Sequence, residues 1–138
     1  MTTPPPPLFE VAPQLVDDGS GTRAWFFDEV ATVVDQTVGG MTLDVARFLT
    51  GAMEAELQRR WVQAGRKVRY VHDWRSCATY DVDARERLIA WGRASLGHTR
   101  QVMVRLASEA SPFIRIAAFT GVTALRMVRV PIESAVGS

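Results

Sequence analysis

The sequence predicts an α/β domain: a mixed β-sheet with an opening antiparallel hairpin, parallel strands after it, and about three helices. Three observations predict it. Before Gly39-Gly40 the chain is rich in β-branched and aromatic runs separated by turn residues. After it, stretches with an apolar residue at every third or fourth position alternate with short apolar runs. Finally, 138 residues with 47% apolar and 22% charged side chains make one domain, 8–138, with a core that needs no disulfide or metal.

Pro4 to Pro7 fit neither a helix nor a central strand, so residues 1–7 read as a flexible, polyproline-like lead-in. "LFEVAPQLV" (8–16) alternates Phe9, Val11 and Leu15 onto one face, and Pro13 marks an edge strand. "DDGSG" (17–21) is turn chemistry. "TRAWFF" (22–27) and "VATVVDQTV" (30–38) form a hairpin or meander that turns at Asp28-Glu29 and stops at Gly39-Gly40.

Thr42 is an N-cap with Asp44 in the first turn, where the helix dipole favours an acid. Ala46, Leu49, Met53, Leu57 and Trp61 then form one apolar stripe, with Arg47, Glu54 and Gln58 assigned to the opposite side and Gly65 at C′. "KVRYVHDW" (67–74) is apolar enough for a central strand. A second helix starts near Asp81 or Asp83, where Asp83 and Glu86 resemble a capping box, and runs through Leu88, Trp91 and Leu96 to Gly97. "RQVMVRLA" (100–107) is a strand. Ser111-Pro112 opens a third helix reaching about Met127, and "RVPIE" (129–133) is an edge strand. Helices alternating with strands after the hairpin imply parallel pairing through right-handed crossovers.

"VVDQTVGGMTLDVARFL", "VRYVHDWRSCATYDVDARERL" and "SPFIRIAAFTGVTAL" together resemble the STAS fold, and within it the SpoIIAA-like branch of bacterial proteins. The likeness spans about residues 22–133. It implies the strand order of the sheet and a non-enzymatic module that regulates through contacts with a bacterial regulatory protein. In that family a strand ends in an aspartate, and a second aspartate precedes a serine that a partner kinase phosphorylates. Asp73 matches the first and Asp81 the second. Val82 and Asp83 follow, so no hydroxyl stands at the phosphoacceptor position, and Ser76 and Thr79 lie earlier in the loop. Asp83 places a permanent negative charge nearby; a helix-capping aspartate is the preferred reading of it, and a mimic of the phosphorylated state the alternative.

"YVHDWRSCATYD" (70–81) gathers the reactive side chains. On a strand, His72 and Asp73 point to opposite faces and cannot pair, whereas Tyr70, His72 and Trp74 share a face. Cys77 is the only cysteine, which excludes a disulfide and every cysteine-based zinc pattern. Its partner would have to be His98, which lies after a helix, at the sheet end opposite Cys77. No nucleophile–base pair or metal set is assembled, so no catalytic residue, metal or cofactor is expected. The expected partner or ligand edge is the carboxyl end of the strands: Asp73, Ser76, Thr79, Tyr80, Asp81, Asp83 and the helix start at Ser111. The alternative function, a small-ligand carrier or sensor, would use an aromatic pocket of Trp25, Tyr70, His72 and Trp74.

Net charge is +1, so no global field draws the chain to nucleic acid or acidic lipid. Arg59, Arg60, Arg66, Lys67 and Arg69 form a basic concentration, but they straddle a helix end, a turn and a strand, where the helix dipole accounts for them. The stretch "FIRIAAFTGVTAL" (113–125) is apolar around most of its circumference, which predicts self-association through Phe113, Ile116, Phe119 and Val122 as a homodimer. Arg115 and Arg126 interrupt the same stretch, so no membrane span is expected. The N-terminus lacks the basic and apolar regions of a signal peptide. A cytoplasmic location is the resulting expectation.

Overall fold

A computed structural model describes residues 7–77 and 79–107, and the backbone of 132–137. The third helix expected over 111–127 lies outside these residues, together with Ser111, Phe113, Ile116, Phe119 and Val122. The described chain forms a six-stranded sheet in simple sequential order. Strands β1 (Leu15–Val16), β2 (Arg23–Phe27) and β3 (Thr32–Gln36) pair antiparallel. Strands β4 (Val68–Asp73), β5 (Thr99–Ala107) and β6 (Ile132–Gly137) extend from β3 in parallel. The hairpin-then-parallel pattern of the sequence is therefore present.

Residues 8–14 depart from the expected first strand. Pro13 has no N–H to give a ladder, and regular pairing begins at Leu15 opposite Ala24. Gln14 carries the pairing further with its side chain. Its amide accepts from Phe26 N and donates to Phe26 O, each at 3.1 Å, standing in for a peptide group. Phe9 then sets its ring edge-on to Trp25 and Phe27, with centroids 5.3 and 5.0 Å away.

Between β3 and β4 the chain is one continuous helical rod made of α1 (Leu43–Phe48), a wide π turn (Leu49–Met53) and α2 (Glu54–Arg60). Thr42 caps it, accepting from Val45 N at 3.3 Å, and Gly65 closes its end in the left-handed region at φ 78°. Ala46, Leu49, Met53, Leu57 and Trp61 are all buried to within 1%. The π turn explains how one stripe stays on the sheet. Steps of four residues drift about 40° each in a regular α-helix, and a wider turn opposes that drift. Helix α3 (Val82–Ala94) connects β4 to β5. Asp81 is its N-cap, but its side chain caps nothing, and no capping box forms at Asp83.

Both described crossovers cover the same face of the sheet. Ala24, Phe26, Val33, Tyr70, Val102 and Val104 form one buried cluster with the stripe of α1–α2 and with Ala84 and Leu88 of α3. The opposite face carries Trp25, Val34 and Val71, aligned across β2, β3 and β4.

Candidate functional site

The site follows from register. Strands β3 and β4 pair so that Asp35 lies beside His72 and Gln36 beside Asp73. Alternation sends the first pair toward the helices and the second to the other face. His72 Nδ1 and Asp35 Oδ2 are 2.5 Å apart, with 6% and 0% of their side chains exposed. Trp74 Nε1 donates to the other Asp35 oxygen at 3.3 Å. The aspartate thus has a partner for each oxygen, which its complete burial requires.

The rings close the space around this pair. His72 stacks on Trp74 at 5.0 Å and on Tyr70 at 6.0 Å, and Trp91 of α3 lies 5.8 Å away at a tilt. A second polar group adjoins it. Glu54 Oε1 accepts from Tyr70 Oη at 2.9 Å and from Trp91 Nε1 at 2.8 Å, while His98 Nε2 lies 3.2 Å from Glu54 Oε2 and 3.1 Å from Tyr70 Oη. Burial, and then the neighbouring Glu54 carboxylate, drives the Tyr70 phenol well above its usual range. The Asp35–His72 and Glu54–His98 groups therefore form two acid–histidine contacts, the first buried and the second partly buried, bridged by Tyr70 and Trp91.

Several expectations change here. Glu54 does not face away from the sheet; seven residues before Trp61, it stands about 20° from it on the helix, at the margin of the buried stripe, and its carboxylate meets Tyr70 and Trp91. Trp25 does not join Tyr70, His72 and Trp74. It pairs with Val34 on the opposite face, wholly buried, and donates to Val11 O at 2.9 Å. The separation of His72 from Asp73 holds, and so does that of His98 from Cys77: His98 meets Tyr70 and Glu54 at the amino half of the sheet, whereas Cys77 follows β4. Cys77 is 6% exposed, and burial, reinforced by Asp35 and Asp73, pushes its thiol up to about 12. Among the described residues, no group of three His, Cys, Asp or Glu side chains converges as a metal site.

The carboxyl edge of the sheet is stitched closed. Thr37 N donates to Asp73 O at 3.1 Å, Met41 N to Thr79 O at 2.9 Å, and Asp81 N to Met41 O at 2.9 Å, so the loops after β3 and β4 pair like short parallel strands. Ser76 Oγ donates to Thr37 O. Gly40 lies so near Thr79 that a Cβ built on it would be 2.1 Å from Thr79 Oγ1. Asp73 is buried and occupied, accepting from Gln36 Nε2 at 3.2 Å and from Arg75 Nε at 2.8 Å. Tyr80 is buried against Trp74. Of the residues expected at this edge, Thr79, Asp81 and Asp83 are exposed, and Val82 between the two acids is 52% exposed.

Two clefts flank the sheet. One, of about 650 Å3, lies beside the sealed loops between Ser20, Gly40, Thr42 and Arg47. The other, of about 580 Å3, lies at the amino ends of the strands and is lined by Arg66, Lys67, Arg69 and Arg100 with Val30 and Ala31. Among the described residues no helix is long and apolar enough to cross a membrane. In comparisons with known proteins, no family model and no curated protein matches the chain.

Proposed function

We propose that the chain is a STAS-like, SpoIIAA-like interaction module, non-enzymatic, that presents the turn Thr79–Asp83 to a protein partner and lacks a phosphoacceptor serine. The observation carrying this reading is the exposed Val82 set between exposed Asp81 and Asp83 at the start of α3. An apolar side chain rimmed by charge has the make-up of a small contact surface. The neighbouring loop pairing supports it, because a surface braced by backbone bonds loses little freedom on association. The side chains with chemical potential are directed inward at one another, as His72 is to Asp35 and Tyr70 to Glu54. The apolar stretch 113–125 is the ground for adding self-association to the reading.

The small-ligand carrier has weaker support. Tyr70, His72, Trp74 and Trp91 fill the space with one another's rings, and Trp25 is on the other face. Affinity capture from the native cell compares wild type with a Val82→Glu variant, since an added carboxylate at an exposed position spares the fold. One protein is expected to be retained about tenfold better by wild type, the ratio that about 1.4 kcal/mol of contact energy gives. An identical set of retained proteins refutes the reading.

A further inference from the structure

We propose that the cleft at the amino ends of β3, β4 and β5 binds a small polyanion carrying two or more phosphate groups. Arg66, Lys67, Arg69 and Arg100 line it, and no carboxylate shares the lining. Each of these cations is held by a neutral acceptor. Arg66 donates to Asp28 O at 2.6 Å and Glu29 O at 3.1 Å, Arg69 Nε to Gln101 Oε1 at 2.7 Å, Arg100 to Val30 O at 3.1 Å, and Lys67 to Gly97 O. The contacts hold the side chains in place without a direct ion pair to any of the four. The Asp28 carboxylate nearby is bound by Trp61 Nε1 at 2.9 Å and Arg60 at 3.1 Å, and those contacts, with a smaller share from the charge of Arg66, hold its carboxyl below the usual range.

Four like charges around one concavity repel one another, and a concave wall focuses their field outward. In a chain of net charge +1 this concentration is local, not a by-product of a basic protein. Arg66, Lys67 and Arg100 are exposed, so an anion reaches them without any rearrangement of the core. The guanidinium groups offer forked N–H donors matched to phosphate oxygens, and Lys67 adds a point charge. A size of about 580 Å3 suits a small molecule. A nucleic-acid strand is disfavoured because the lining has no aromatic ring for bases to stack on, and the charges gather at one cleft instead of following a strand. The site lies at the end of the sheet remote from Thr79–Asp83 and does not depend on the interaction proposed there.

The experiment is titration calorimetry of the full chain with inorganic tripolyphosphate, at low and at physiological ionic strength. Binding that weakens with salt is expected. The double variant Lys67→Ala/Arg100→Ala and the single variant Arg69→Ala, each confirmed folded by circular dichroism, are expected to bind at least about tenfold more weakly, the scale of losing a charge-assisted contact. Arg47→Ala, on the exposed surface of α1, is expected to bind as wild type does. Absence of tripolyphosphate binding overturns the proposal, as does equal binding by the cleft variants. A short oligothymidylate that binds more tightly than tripolyphosphate in the same buffer also overturns it, in favour of a nucleic-acid site.

Discussion

The two ends of the parallel sheet are built on opposite principles. At the carboxyl end, the loops after β3 and β4 pair through their backbones, Gly40 and Thr79 are in close approach, and the exposed charges include the acids Asp81 and Asp83. At the amino end, the strands open onto a cleft lined by four cations. This reverses the usual expectation for open α/β sheets, in which ligands gather at the carboxyl ends. That rule depends on a crevice where the strand order reverses. Here the order runs from β1 to β6 without reversal, and both described crossovers lie on one face. The loops after β3 and β4 fold onto each other, and the cleft of about 650 Å3 at this end lies beside them instead of between them.

If the carboxyl end is structural beneath its surface, breaking its interior must cost the fold most. Asp35→Ala strands His72 and Trp74 without their shared acceptor and is expected to destabilise the chain by about 3–5 kcal/mol, read from the midpoint of urea unfolding. A loss below about 1 kcal/mol would mean that the pair is dispensable and the contrast between the ends false.

Alkaline titration sharpens the same contrast. Cys77 has an unperturbed value of 9.0 and is pushed up to about 12 by burial, so the folded state keeps a proton that the unfolded state gives up. Its contribution is complete below pH 9, falls as pH rises from about 9 to about 12, and has the sign of fewer protons bound to the unfolded chain. Wild type is therefore expected to lose stability over this window by an amount on the order of a few kcal/mol. Cys77→Ala, although less stable at pH 8, is expected to lose less across it, because the remaining loss comes from the buried phenols of Tyr70 and Tyr80. Parallel pH profiles for the two proteins would refute this assignment.

The smallest effect on stability belongs to the amino end. Lys67→Ala/Arg100→Ala removes exposed side chains bound to single carbonyl oxygens, so the unfolding midpoint should move by no more than about 0.5 kcal/mol. A much larger change would make those cations parts of the scaffold.

Much of this architecture is legible in the sequence, for physical reasons that differ by element. The stripe from Ala46 to Trp61 and the alternation through Tyr70, His72 and Trp74 follow from the periods of helix and strand. The Asp35–His72 pair does not, because it depends on the register between strands 37 residues apart. Its one local trace is an acid inside the β-branched run "TVVDQTV", where an unpartnered charge would be intolerable. Glu54 is a charged side chain at the margin of the apolar stripe, about 20° from Trp61, where polarity reads as exposure although the helix period brings it to the sheet. Trp25 was misassigned because alternation says which residues of one strand share a face, but not which face of the next strand they join. The sequence shows Arg66, Lys67 and Arg69 as a basic run but not as a cleft, because Arg100 comes from β5, far along the chain, and completes the lining only in the fold.

The wide turn at Leu49–Met53 amounts to one surplus residue in an otherwise regular rod. Five residues joined by i→i+5 bonds turn about as far round the axis as four in a regular α-helix, so excising Gly51 would leave Thr42 and Glu54 nearly in phase. A second excision would swing every side chain beyond the cut by about 100° and pull either the cap at Thr42 or the carboxylate of Glu54 from what it grips. The rod can therefore spare one residue at this turn and no more.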